Sequence, residues 1–244
     1  DNSVVNQLLR PKRVKYDARN FTWLGSSNQT NQVMIIRSDT GVKSWKDLRG
    51  RNTIAAAAGT AGFDFVAMNL YRALLKFNLK IVVGYKGSTA TTFAVEQGEA
   101  EANCNNWLAY SSKVPQWFKG DKPFARAVVQ LGVFRDPDLP ENVPLLSDLV
   151  SNPKDKAAVD FASVAGLLGR GLVVPPKTSK ATISMLRAAY DKMNVDGDFR
   201  AELKKKKLRL IAANGAEIQK IVNKAVNEAS PEVVAHARTL ILRN

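Results

Sequence analysis

The sequence predicts an α/β fold in two lobes, with a block of parallel strands and covering helices inserted into a domain made from both chain ends. Three observations predict it. Between Arg51 and Asn105 the apolar residues switch between short strand-like runs and helical three-and-four spacing, in the order β-α-β-α-β. The crossovers are long enough for parallel pairing, which places helices over a buried sheet. One strand lies before this block and another after it, so the chain can pass between lobes twice. The division expected is residues 1–50 with 171–244 as the first lobe and 51–170 as the second.

The elements follow in order. Val33-Met34-Ile35-Ile36 is a strand, and Ser44-Trp45-Lys46-Asp47 has the Ser-x-x-acid form of a helix-starting capping box that Gly50 ends quickly. Thr53 to Ala58 is a small-apolar strand ending at Gly59, after which Phe63, Val66, Leu70, Leu74 and Phe77 share one helix face. Ile81 to Tyr85, β-branched and aromatic, is the next strand. A helix over Thr89 to Gln97 is closed by Gly98, and Ala100 to Cys104 is the third strand of the block. Arg126 to Leu131 forms another strand, followed by a loop through Pro137, Pro140 and Pro144 and a helix from Lys154 to Val164. The strand Leu172-Val173-Val174 runs into Pro175-Pro176. Helical faces then appear at Ile183, Leu186, Tyr190 and Met193 and at Ile218, Ile221, Val222 and Ala225. Ser230-Pro231 supplies the cap and first-position proline of a last helix.

Composition narrows the function. With 36 Lys and Arg against 22 Asp and Glu, the net charge is +14, which raises the local concentration of any anionic ligand. An apolar fraction of 45% and a charged fraction of 24% are those of a globular protein and exclude dominant disorder. Cys104 and His236 are each the only residue of their type, so an intramolecular disulfide and a Cys/His zinc site are excluded. No apolar run approaches the roughly 18 residues of a membrane span.

The strongest candidate site is Ala58-Gly59-Thr60-Ala61-Gly62-Phe63-Asp64, between a strand and a helix, where free backbone N–H groups and the helix dipole favour an anion. It lacks the first glycine of Gly-x-Gly-x-x-Gly, and Tyr85-Lys86-Gly87 provides no ribose-binding acid, which argues against a dinucleotide fold. In a parallel sheet Lys86, Gly87, Ser88 and Thr89, and Asn103, Asn105 and Asn106, fall on the same edge. Asparagines there can read a polar ligand through neutral hydrogen bonds. Catalysis finds no support: His236 is expected on a helix surface without a nucleophile motif. Lys204 to Lys207 read as a solvated helix end, and Cys104 as a buried apolar side chain.

Tyr16-Asp17-Ala18-Arg19-Asn20-Phe21-Thr22-Trp23, Lys43-Ser44-Trp45-Lys46-Asp47-Leu48-Arg49-Gly50, Gly84-Tyr85-Lys86-Gly87 and Glu96-Gln97-Gly98-Glu99-Ala100-Glu101 occur in an order that resembles the solute receptors of tripartite tricarboxylate transporters. Asp136-Pro137-Asp138-Leu139-Pro140, Val173-Val174-Pro175-Pro176 and Ser230-Pro231-Glu232-Val233-Val234 extend the resemblance over nearly the whole chain. The resemblance implies a two-lobed periplasmic binding protein of type II, periplasmic and monomeric. It implies capture of a small organic acid for an integral membrane permease, with no catalysis, no cofactor and no nucleic-acid partner. It places the ligand at Gly59, Thr60, Ala61, Gly62, Phe63 and Asp64 with Lys86, Gly87, Ser88, Asn105 and Asn106. Family members carry two further β-α units upstream, including a glycine-rich loop, so an incomplete first lobe is expected. Where relatives place small hydroxyl residues this chain has Phe63-Asp64. Asp64 can cap the helix, and its charge favours a ligand with one carboxylate, or with an aromatic or amino group, over citrate.

Two other classes compete. A ligand-sensing or nucleic-acid-associated regulator of the same fold would suit the charge but expects a helix-turn-helix, which the sequence lacks. A nucleotide-dependent reductase would use Lys86 against a 2′-phosphate.

Overall fold

Two sheets organise residues 2–242, the part of the chain that the computed structural model describes. The elements are α1 (Ser3–Leu9), β1 (Thr22–Ser26), β2 (Gln32–Arg37), β3 (Asn52–Ala57), α2 (Phe63–Leu75), β4 (Asn78–Val83), α3 (Gly87–Glu96), β5 (Ala102–Asn106), α4 (Trp107–Lys113) and β6 (Ala125–Leu131). They continue with α5 (Pro153–Leu168), β7 (Gly171–Val174), α6 (Lys180–Val195), α7 (Gly197–Lys205), β8 (Ala213–Asn214), α8 (Gly215–Asn227) and α9 (Pro231–Leu242).

The larger sheet has five strands in the order β4-β3-β5-β2-β6. As expected from the crossovers, β3 pairs parallel with β4 and with β5. Strand β2 runs antiparallel between β5 and β6, so it belongs to this sheet and not with the first lobe, where its place before the inserted block had put it. Alternate residues of β2 and β3 serve two cores. Met34, Ile36, Ala55 and Ala57 pack with α2, α5 and α9, whereas Val33, Ile35 and Ala56 pack with α3, α4 and the Trp117 segment. Helix α9 likewise inserts Val234, Ala237 and Ile241 into the first of these cores, although its sequence position assigned it to the other lobe.

The smaller sheet has three strands, β7-β1-β8, all antiparallel. One core lies against it, formed by Val4, Ala18, Trp23, Leu168, Ala213, Ile218 and Val222. Helix α1 bridges the two bodies, since Val4 joins this core while Val5 and Leu9 join that of the larger sheet. A polar strap also crosses between them. Arg209, just before β8, donates at 2.8 Å to both carboxylate oxygens of the buried Asp136 in the loop after β6, and also pairs with Asp138.

Several boundaries differ from the sequence reading. The capping box at Ser44 and Asp47 forms, but opens only a short 3-10 turn, Trp45–Leu48. Phe77 continues the helical spacing by coincidence. Lys76 turns left-handed at φ 60° and ends α2, and β4 starts at Asn78 because Asn52 of β3 pairs there. Strand β5 runs two residues further than Cys104, to Asn106. Helices α1, α4 and α7 and strands β1 and β8 carry too short or too polar a pattern to be read by period. Cys104 is buried, as expected of its strand. His236 is not a free surface residue: its Nε2 lies 2.6 Å from Asp155 Oδ1, joining α9 to α5.

Candidate functional site

The carboxyl ends of β4, β3 and β5 lie side by side, with Ala57 registered against Val83 and Ala56 against Asn103. The sheet order thus brings the bend 58–62, the turn at Lys86 to Ser88 and the Asn105–Asn106 end to one edge, as parallel pairing predicts. Thr60, Ala61, Lys86 and Gly87 are exposed, Gly59, Gly62 and Ser88 half-buried, and Phe63 and Asp64 buried.

Asp64 does not cap α2 as the sequence suggested: the cap position is Gly62, which has no side-chain cap bond, and the Asp64 carboxylate in the first turn reaches back to β3 instead. Its Oδ2 accepts from the Ala58 amide at 2.7 Å, which ties the end of β3 to the first turn of α2. Gly62 is needed for this: a Cβ there would lie 2.0 Å from Asp64 Oδ1. Burial pushes the Asp64 pKa up, and hydrogen bonding from the backbone, the Ala58 amide first, opposes the shift without cancelling it. The Gly62 amide donates to Gly59 O at 3.0 Å. Gly62 therefore shapes the bend but does not offer its own N–H, a correction to the expectation that every amide from Gly59 to Phe63 is free. Among the described residues the amides of Gly59, Thr60, Ala61 and Phe63 donate to no protein acceptor.

The bend's carbonyls are held from α1. Asn2 and Asn6 donate to Ala61 O at 2.9 and 2.7 Å, and the Arg10 guanidinium donates to Thr60 O and, at 3.2 Å, to Thr60 Oγ1. Sequence reasoning missed these residues. Their signal was present in the spacing, because Asn2, Asn6 and Arg10 recur every four residues and so share one helical face.

The two asparagines divide. Asn106 is consumed as the cap of α4, its Oδ1 accepting from the Ala109 amide at 2.9 Å. Asn105 is buried, with Nδ2 directed to Thr91 and Thr92 hydroxyls at 3.3 and 3.5 Å. Beneath it Asn103 donates to Thr91 and accepts from Tyr110 at 2.7 Å. These contacts fix the middle of α3 to β5, so Asn103 and Asn105 hold the helix that follows the Lys86 turn. Lys86 precedes α3 without a side-chain capping bond, and Lys113 of α4 donates to Thr89 at 2.8 Å on the same helix.

A mixed five-strand sheet with one antiparallel strand inserted, joined to a second sheet, defines the class: the chain has the fold of two-lobed periplasmic solute-binding proteins of type II. No family model matches the chain and no curated protein matches it at the level of sequence. Among solved structures it is similar to a TctC solute-binding protein from Polaromonas solved without ligand, at 14% identity and a TM-score of 0.64, covering 99% of this chain and 75% of that one. It is also similar to R. palustris Rpa4515 with adipate, at 13% identity and a TM-score of 0.66 over 95% of this chain and 75% of that one. MatC from Rhodopseudomonas palustris with bound malate aligns at 18% identity and a TM-score of 0.64, covering 94% and 75%. The three-quarter coverage and the three-stranded smaller sheet agree with the expected incomplete first lobe. No helix among the described residues is long and apolar enough to cross a membrane.

Proposed function

We propose that the protein is a periplasmic solute-binding protein that captures a small organic carboxylate and delivers it to membrane permease subunits, without catalysis and as a monomer. Its lobes are the two sheets with their helices, joined near residues 28–31 and 169–171, with β2, α5 and α9 counted with the larger one. The ligand's carboxylate is held at the edge of the larger sheet by the amides of Gly59, Thr60, Ala61 and Phe63, with Lys86, Gly87 and Ser88 facing it and Asn105 positioning them. The observation that supports this most directly is that those four amides, at the start of a 13-residue helix in a chain of charge +14, have no protein acceptor among the described residues. The fold is shared with proteins solved with adipate and malate, which fits a carboxylate ligand. Asp64 already shares this helix end, which favours one carboxylate at the bend rather than two.

Thermal unfolding in the presence of a panel of carboxylates that includes adipate and malate tests the reading. Ligand at about 100 times Kd adds about 2.7 kcal/mol, worth roughly 5–10 °C in Tm for a protein of this size. At least one member of the panel is expected to give such a shift, weakened about tenfold in Kd by Lys86→Ala. A flat panel, with the protein natively folded by circular dichroism, overturns the proposal.

A further inference from the structure

On the α1 and α9 side of the bend lies a second feature, a cavity of about 490 Å³ that shares Thr60 with the carboxylate site but includes none of Lys86, Gly87, Ser88, Asn105 or Asn106. Its wall carries four cationic side chains, Arg10, Lys12, Arg13 and Arg238, and among its described lining residues there is no carboxylate. Its remaining wall is largely apolar, with Leu9, Phe65 and Leu242. The two halves of the wall therefore ask for different chemistry: an anion on one side and a hydrocarbon surface on the other.

The arginines are not equivalent. Arg238 uses Nε and Nη2 on the carbonyls of Leu9 and Leu8, at 2.9 and 2.8 Å, which fastens the end of α1 to α9. Arg10 uses both Nη atoms on Thr60, but its Nε–H is buried and has no partner. A guanidinium carries five N–H groups, so each Nη keeps one beyond its bond to Thr60, and these are the donors left for a charge-assisted bond to an anion. Burial and the neighbouring Arg13 both lower the Arg10 pKa, the response of a cation that lacks a counter-charge. Lys12 and Arg13 are exposed at the cavity rim, where they can attract an anion and can be changed without disturbing the core.

We propose that this cavity binds an amphiphilic monoanion, one carboxylate or phosphate head on a medium-length hydrocarbon body, with the head on Arg10 and Arg13 and the body against Leu9, Phe65 and Leu242. The volume lies within the range of about 300–1,000 Å³ usual for small-molecule sites. Because the head needs only one negative charge and the body needs apolar contact, both parts of the ligand contribute.

Isothermal titration of the full chain with octanoate, octyl phosphate, acetate and octanol reads this directly. Octanoate or octyl phosphate is expected to bind saturably, one per chain, at least tenfold tighter than acetate and than octanol. The double variant Lys12→Glu/Arg13→Glu is expected to weaken that binding at least tenfold, and the milder Arg13→Gln to weaken it in the same direction if the double variant unfolds. Lys86→Ala, in the turn before α3 that does not line this cavity, is expected to leave octanoate binding within twofold. Absence of saturable binding by both amphiphiles, octanol or acetate binding as tightly as they do, or a loss that follows Lys86→Ala and not the Lys12 and Arg13 changes would each overturn the assignment. The carboxylate-panel melting shift is a separate readout, so either proposal can fail while the other stands.

Discussion

Strands β2 and β7 are both written in branched apolar residues, yet Val33 to Ile36 are completely buried whereas Leu172 and Val173 are 51% and 45% exposed. The difference is one of surroundings. Strand β2 has a hydrogen-bonded partner on each side and a core on each face, while β7 pairs only with β1 and has one core beneath it. A related contrast separates the two regions as wholes: a core covers each face of the larger sheet, whereas the smaller one has a single smaller core and an edge strand, β7, open to solvent beside the buried β1. A candidate binding edge at the ends of β3, β4 and β5 is therefore mounted on the rigid region. The smaller sheet is the part of the molecule that few buried contacts hold in place.

The sharpest test of this contrast is a pair of truncations. Ile35→Ala removes a completely buried side chain between two packed layers and is expected to cost about 3–4 kcal/mol. Leu172→Ala, on the open face, is expected to stay within about 0.5 kcal/mol in urea unfolding. Equal costs would mean that the faces of β7 are covered in solution. A smaller effect concerns the connection between regions. Arg209→Ala leaves the fully buried Asp136 carboxylate without its guanidinium and is expected to destabilise by about 2–3 kcal/mol. A loss near zero would show that the strap does not hold the two sheets together. The smallest effect belongs to the bend. Burial raises the Asp64 pKa above its unfolded value, so its contribution to stability is fully present below the ordinary carboxylate range and is lost as pH rises through the raised value. The stability of Asp64→Asn relative to the parent is accordingly expected to improve between pH 4 and pH 7 in urea melts at both pH values. An unchanged difference would mean that the folded protein holds this carboxyl no differently from the unfolded chain.

Most of the larger sheet was legible because its signals are local. Gly59 punctuates the end of β3, the three-and-four spacing of Phe63 to Leu74 marks α2, and Gly98 closes the turn after α3 with its amide on Val95 O. The convergence of the bend, the Lys86 turn and Asn105 followed from parallel pairing alone. What escaped were the particular bonds. Asn106 and Asp64 looked like ligand-facing polar residues, yet Asn106 caps α4 through the Ala109 amide and Asp64 accepts from the Ala58 amide at the end of β3, each spending its acceptor on a nearby backbone N–H. Asn2, Asn6 and Arg10 escaped for another reason: their four-residue spacing marks a shared face but names no partner, and the carbonyls they hold lie fifty or more positions away.

By itself the sequence determined the α/β class, the order of strands and helices in the central block, the anion-favouring charge and the place of the glycine bend, since each depends on periodicity, capping chemistry or composition within a few residues. Only the tertiary structure decided that β2 and α9 belong with the larger sheet, that the Gly62 amide is already engaged while its neighbours are open, and that four cations from opposite ends of the chain line one cavity. Those outcomes depend on which distant groups come within bonding distance, and contacts between residues far apart in the chain are set by packing, to which no local pattern has access.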